Sequence, residues 1–455
     1  MPYVRLPVLI GTYGNMRAMV TLPLEATRFR ARLGRCSGGL FIAVLFASLP
    51  LLLGALYRTY QYEVFPSWFE VSRQLDLVIL ALEIVTICCA RRDGMDYRQS
   101  LRRLPVQTRR ALIFFLATFW IGALLHSRFL TYSLVRAAGW PIHILFAVAL
   151  WHFLHKHRPI TARTFIFILC AGYAAYLPLL SYHLLTAPPG ASLHYGAVIW
   201  ASSLPGYLSV RIFGMEIGVI LTLLLGLVWR EADVTPRSSI NMLLITAAAC
   251  LLCWSGTRSA VFGVAGAVII TAFFRRPLPR WSVVCAVVMA IVAGGAASSF
   301  MLPPDPAFGF RIVEHSLKAD YSAGRVEIWT AALRLIMQRP LTGWGDGSFI
   351  WLFSLKGAVV AQPHNAILQM LQAWGLPAAF AALFMIGRIW WALNRRGTMT
   401  TDRLPFVMAF DTLLIMSMVD GVFFHARLIM LAVIIATFGL AACSGRGRAL
   451  AGAPE

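Results

Sequence analysis

Apolar residues in this chain run in long unbroken blocks, separated by short polar turns. The blocks fall at residues 39–57, 75–90, 111–125, 137–154, 164–185, 212–229, 240–254, 259–274, 281–300, 364–386, 404–422 and 428–443. Most approach the length an α-helix needs to cross about 30 Å of hydrocarbon. The pattern predicts an all-α polytopic membrane protein with about twelve transmembrane helices and both termini on one side. One interval breaks the rhythm. Residues 301–363 form a large loop with a helical pattern of their own, in which Ile328, Trp329, Ala332, Leu333 and Ile336 recur on one face. The organisation that follows is a basic tail (1–38), nine spans (39–300), the large loop (301–363), three spans (364–443) and a short tail (444–455). Gly375-Leu376-Pro377 marks a kink inside the tenth span.

Composition strengthens this picture. The 455 residues are 59% hydrophobic and 13% charged, where soluble domains carry about 25% charged residues. A net charge of +21 would suggest nucleic acid in a soluble protein. In a membrane protein it reports orientation instead, because Lys and Arg gather in cytoplasmic loops. Both tails then lie inside, while the large loop, Arg211, Arg258, Arg325 and His364 all reach the exterior face. Nearly all the positive charge is Arg, with Lys only at positions 156, 318 and 356; Arg grips phosphate as a fork. The basic N-terminal tail suits anionic inner-leaflet lipid, and 1–38 has no cleavable signal-peptide pattern.

Other classes fit poorly. The eight cysteines lie in spans or on the cytoplasmic side and imply no disulfide framework. Cys250 and Cys253 form a C-x-x-C inside an apolar helix with no partner pair, which reads as small core residues. Within the spans the main ionisable residues are Glu83, Arg136, Glu216, Asp411 and Asp420. They suggest no ion pathway, and no paired broken helices of an inverted-repeat transporter are seen. The exterior side lacks metal-ligand spacing, so neither metal nor cofactor is expected.

Candidate chemistry collects at the exterior ends of spans. In Ser255-Gly256-Thr257-Arg258-Ser259-Ala260 a tight turn places Arg258 in the first turn of a helix, where positive potential disfavours a cation unless an anion is nearby. Arg258 reads either as part of a phosphate site or as an interfacial Arg reaching water. Arg325 opens the loop helix, capped by Ser322 or Gly324, with the same two readings. Pro340-Leu341-Thr342-Gly343-Trp344-Gly345-Asp346-Gly347 alternates glycines that allow positive φ around a Trp that lines the site or offers a sugar a stacking surface. His364, with Asn365 after it, opens the tenth span. The helix dipole there disfavours imidazolium and leaves a ring able to accept a proton; an interfacial polar His is the plainer alternative.

Four motifs in order carry a resemblance: Ser-Gly-Thr-Arg-Ser-Ala at 255–260, Ala-Gly-Arg-Val-Glu-Ile-Trp at 323–329, Pro-Leu-Thr-Gly-Trp-Gly at 340–345 and Pro-His-Asn-Ala-Ile-Leu at 363–368. Over residues 211–383 the chain resembles the O-antigen ligase and polymerase family of bacterial membrane glycosyltransferases. The resemblance implies a GT-C-like bundle in the inner membrane and glycan transfer at the periplasmic face, in lipopolysaccharide biosynthesis. The donor would be an undecaprenyl-diphosphate-linked glycan, with no metal or nucleotide. It implies that Arg258 and Arg325 hold the diphosphate, with Arg211 adding a contact on a looser pattern. His364 would act as base or orient the acceptor; Trp344 and Asn365 are counted with the arginines among the residues expected to bind the diphosphate or the glycan. An O-antigen ligase acting on lipid A–core is the leading expectation, chosen on chain size, span number and the single large loop. The alternatives are a polymerase joining lipid-linked repeats, a protein O-oligosaccharyltransferase and a non-catalytic transporter of lipid-linked glycan.

Overall fold

A computed structural model describes residues 3–5, 21–23, 38–56, 76–156, 160–186, 204–231, 236–275, 278–302, 312, 324–355, 358–395 and 399–451. The helices are α1 (Gly38–Leu56), α2 (Leu77–Arg92), α3 (Tyr97–Arg102), α4 (Val106–Thr118), α5 (Ile121–His126), α6 (Leu130–Lys156), α7 (Ala162–Leu185), α8 (Val210–Val228), α9 (Pro236–Ser255) and α10 (Arg258–Phe274). They continue as α11 (Trp281–Ser298), α12 (Arg325–Gln338), α13 (Phe349–Leu352), α14 (Ala366–Asn394), α15 (Leu404–Ser417) and α16 (Ala426–Ala451), with a 3-10 turn at Val422–Phe424. Two short antiparallel pairs, Tyr3–Arg5 with Thr21–Pro23 and Ser354–Leu355 with Ala358–Val359, do not alter the all-α class. Among the described residues, seven helical stretches are long and apolar enough to cross a membrane, and four more apolar helices are shorter. Most of the basic tail lies outside the described residues, as do Ser322 and much of the loop before α12.

The centre of the bundle is α8, whose sides are almost wholly buried. It packs on α7, α9, α10 and α15. Small residues set the spacing, as is usual where helices meet without a hydrophobic driving force between them. A Cβ on Gly214 would stand 2.1 Å from the Thr257 hydroxyl oxygen, so only glycine lets the α9–α10 turn sit against α8. Gly214→Val should therefore cost about 1–3 kcal/mol by overpacking. A melting temperature in detergent equal to that of the wild type would show that the turn is not held this closely.

The kink expected at Gly375 is present: Gly375 has φ 74 and ψ 171 inside α14. There the Leu376 N–H donates to Pro340 O at 2.7 Å, and the Trp344 and Gly345 amides donate to Gln372 O and Ala373 O, each at 2.9 Å. The opened turn of α14 is thus satisfied by the Gly-Trp-Gly segment, whose glycines at 343, 345 and 347 all adopt positive φ. Trp140 Nε1 donates to Asp346 at 2.9 Å, with Arg136 Nε 3.5 Å from the same carboxylate. The loop is pinned to the bundle at both ends of this motif.

The ionisable residues inside the bundle are paired locally. Glu83 meets His143 at 2.7 Å, Asp411 meets Arg275 at 2.5 Å, and Glu216 meets Arg427 at 2.5 Å. Cys250 Sγ packs 3.5 Å from Met301 Sδ.

Candidate functional site

Three helices begin at one cleft and each brings an arginine. Arg211 is the second residue of α8, Arg258 the first of α10 and Arg325 the first of α12. Together with Gly256, Thr257, Ser259 and Asp420 they line one small open cleft. Local chemistry explains each start. Ser209 caps α8 by accepting from the Arg211 amide at 3.2 Å. In the α9–α10 turn Gly256 takes φ 66, and Ser255 Oγ bonds Thr257 Oγ1 at 2.9 Å. Gly324, at φ 70, is the cap residue of α12. Helix N-termini carry positive potential, so the cleft combines three guanidiniums with three such ends.

One carboxylate stands against this charge. Asp420 lies between α15 and α16, beyond the end of α15, and is buried. Ser259 Oγ donates to its Oδ2 at 3.0 Å, the Gly421 amide donates to Oδ1 at 2.9 Å, and His364 Nδ1 donates to Oδ1 at 3.1 Å. Burial works against the carboxylate, but the His364 hydrogen bond and charge, Arg211 and the Gly421 amide together hold its pKa below the ordinary carboxylate range. For Arg325, burial and the neighbouring Arg211 and Arg258 outweigh Asp420 and lower its pKa. Its Nε is shielded from solvent with no hydrogen-bond partner among the described residues. Crowded cations with surplus donors at helix N-termini suit a multiply charged anion.

His364 differs from the sequence expectation in one respect. It precedes α14 rather than opening it, with φ 53, and Asn365 is the cap residue. Its environment is therefore set by Asp420 more than by the helix dipole. The backbone is anchored on both sides: Trp329 Nε1 donates to Pro363 O at 3.0 Å, and Asn365 Nδ2 donates to Met418 O at 2.9 Å. With Nδ1–H given to Asp420, it is Nε2 that carries the lone pair whenever the ring is neutral.

Arg211, Arg258 and Arg325 thus meet, and His364 joins them through Asp420. The other two sequence candidates are placed differently. Asn365 spends its side chain on the α14 cap, accepting from Leu368 N at 3.0 Å, and on Met418 O. Trp344 donates Nε1 to Leu335 O at 2.9 Å and lies under Arg339, whose guanidinium carbon is 4.1 Å from the ring centroid. Trp344 does not line the arginine cleft.

Spacing along the chain does not single out Asp420 or Ser259 as site residues. The available signal is an aspartate near the end of the eleventh apolar block, at the same membrane side as Arg258. A second feature that the chain alone does not reveal is the support behind Arg211. Arg427 Nη1 donates to Gly206 O at 3.2 Å, Nη2 donates to the Tyr207 hydroxyl at 2.6 Å, and the fork clasps Glu216. Tyr207 donates to Glu216 at 2.7 Å, and the Tyr173 hydroxyl donates to the same carboxylate oxygen. The clamp ties the segment leading into Arg211 to the first turn of α16. Glu216→Gln leaves Arg427 buried without its counter-charge, at about 3–5 kcal/mol. It should lower the melting temperature, and Glu216→Gln/Arg427→Met should recover part of the lost stability. A melting temperature unchanged by Glu216→Gln would refute the clamp.

Residues 242–385 match the model of the O-antigen ligase family. That stretch contains Arg258, Arg325 and His364, and excludes Arg211 and Asp420. No curated protein matches the chain.

Proposed function

We propose that this membrane protein is an O-antigen ligase. In this reading it moves a glycan from undecaprenyl diphosphate to a sugar hydroxyl of lipid A–core at the periplasmic face of the inner membrane. The observation that carries the reading is the convergence of three helix-start arginines on a cleft adjoining the His364–Asp420 pair. The family match over 242–385 supports it.

The chemistry needs two things from the protein. The leaving group is a lipid diphosphate, and charge grows on its bridging oxygen as the bond to the anomeric carbon breaks. Fixed guanidiniums and helix N-termini stabilise that charge without reorganising. The acceptor hydroxyl must lose its proton as its oxygen bonds to the anomeric carbon. His364 Nε2 takes that proton, while Asp420 holds the tautomer and steadies the imidazolium. Products are the glycosylated acceptor and undecaprenyl diphosphate. The pairing of Glu83, Glu216 and Asp411 with neighbouring residues supports an enzyme over a transporter lined with charges.

The test is the purified protein given undecaprenyl-diphosphate-linked glycan and rough lipopolysaccharide. Enlarged lipopolysaccharide with free undecaprenyl diphosphate is expected. Elongated carrier-linked chains would instead make it a polymerase, and glycosylated protein an O-oligosaccharyltransferase.

A further inference from the structure

The helix of the large loop, α12, has three faces. Ile328, Ala332 and Ile336 form one, which is buried, and the helix packs on α14. A second face, about 120° around the helix, holds Val326, Leu333 and Met337 and continues into Leu341. It is apolar and yet exposed, Met337 by 81% and Leu341 by 68%. The third, about 100° further on, is polar and exposed, with Glu327, Arg334 and Gln338. On the border between these two, Thr330 turns its hydroxyl back to Val326 O at 2.8 Å. A helix lying between a core and water needs one apolar face and one polar face. An exposed apolar face beside both calls for a third neighbour.

Backbone contacts fix the depth of that face. Near the arginine cleft, Trp329 Nε1 reaches Pro363 O, just before α14, at 3.0 Å. At the far end the Leu376 amide donates to Pro340 O at 2.7 Å, and a Cβ on Gly375 would stand 2.4 Å from Leu341 O. α12 therefore runs antiparallel along the first part of α14. Gly375 is about 14 Å along α14 from Ala366, and about 20 Å from Arg388, the first charged residue of that helix. The hydrocarbon of a bilayer is about 30 Å thick, so Leu341 falls inside it. A second ruler agrees. Trp374 packs edge-on against Phe115, 5.3 Å between centroids, in the middle of the apolar stretch Val106–His126. A Cβ on Gly122 of the same stretch would stand 2.4 Å from Thr342 O. Leu125 and Phe380, on the two helices that enclose Leu341 and Thr342, are exposed apolar residues as well. The apolar face of α12 is thus continuous with the lipid-facing surface of the spans.

We propose that residues 325–347 form a re-entrant segment. In it α12 descends from the arginine cleft into the leaflet on that side, with Val326, Leu333, Met337 and Leu341 against lipid acyl chains. The local chemistry fits this placement. Non-helical backbone at membrane depth must be satisfied by protein, and the Gly343, Trp344 and Gly345 amides donate to Arg339 O, Gln372 O and Ala373 O. Helix side chains tilt toward the N-terminus, which here is the aqueous end, so Arg334 and Gln338 reach back toward water along their stems. Arg339, at the deep end, is covered by the Trp344 ring, 4.1 Å from its guanidinium carbon. The placement does not depend on the glycan-transfer reading.

The full-length protein in phospholipid nanodiscs, with a coumarin amino acid in place of Leu333, Met337 or Leu341, reads the depth directly. Phospholipids brominated along their chains should quench all three probes, and iodide in the water should quench none. Quenching by bromines near the chain ends should rise from position 333 to position 341. A probe in place of Glu327, on the polar face, should be quenched by iodide. Iodide quenching at Met337 and Leu341 as strong as at Glu327 overturns the proposal. Photo-crosslinking in native membranes gives an independent reading, with benzoylphenylalanine in place of Met337 or Leu341. Phospholipid adducts are expected. Adducts to a second copy of the chain or to another protein, in place of lipid, overturn the proposal by showing a docked partner.

Discussion

A His364→Ala protein should accumulate in the membrane at the wild-type level and transfer glycan about 10²–10⁴-fold more slowly. The ring is one-quarter exposed and makes one charged hydrogen bond, to Asp420, so its removal costs little in packing. What is lost is the lone pair at Nε2. Asp420→Asn should produce a smaller loss in kcat, because an amide can occupy the same place but cannot enforce the Nδ1–H tautomer or steady an imidazolium. The His364→Ala protein should retain affinity for undecaprenyl diphosphate, since His364 does not line the arginine cleft. Near-normal turnover in His364→Ala would remove the base assignment.

Arg258→Lys preserves charge and should still reduce kcat by about 10²–10³-fold, the cost of losing a fixed donor to developing negative charge. A guanidinium presents a rigid fork to two phosphate oxygens, whereas an ammonium is a point charge on a flexible stem. Arg258 also has little freedom to compensate. It starts α10 immediately after a turn pressed against Gly214, so a shorter reach cannot be recovered by backbone movement. Single-turnover rates with radiolabelled donor separate this from a defect in acceptor binding. A near wild-type single-turnover rate in the Arg258→Lys protein would show that charge alone suffices.

Much of the architecture is legible in the chain because bilayer physics writes itself into sequence as block length. Residues 212–228 and 281–298 fall in predicted spans, and they belong to long apolar helices. The Gly375 kink and the positive-φ glycines around Trp344 follow from backbone sterics, which act locally. Where expectation and structure part, a distant partner intervenes. His364 reads as a first-turn histidine governed by a helix dipole, but Asn365 takes the cap and an aspartate 56 positions away takes the ring. Trp344 and Asn365 read as available to a sugar, yet each side chain donates its N–H to a backbone carbonyl. Short-range spacing cannot show that a side chain is already engaged.

The sequence by itself determined the protein's class and the helix-start positions of Arg258 and Arg325, because hydrophobic length and helix-terminus signals are local properties. Only the tertiary structure decided that Arg211, Arg258 and Arg325 share one cleft, that Asp420 joins them to His364, and that Arg427 and Glu216 brace the segment leading into Arg211. Those contacts join residues up to 221 positions apart. They depend on which helices pack together, and glycine-sized close approaches such as Gly214 against Thr257 set that packing.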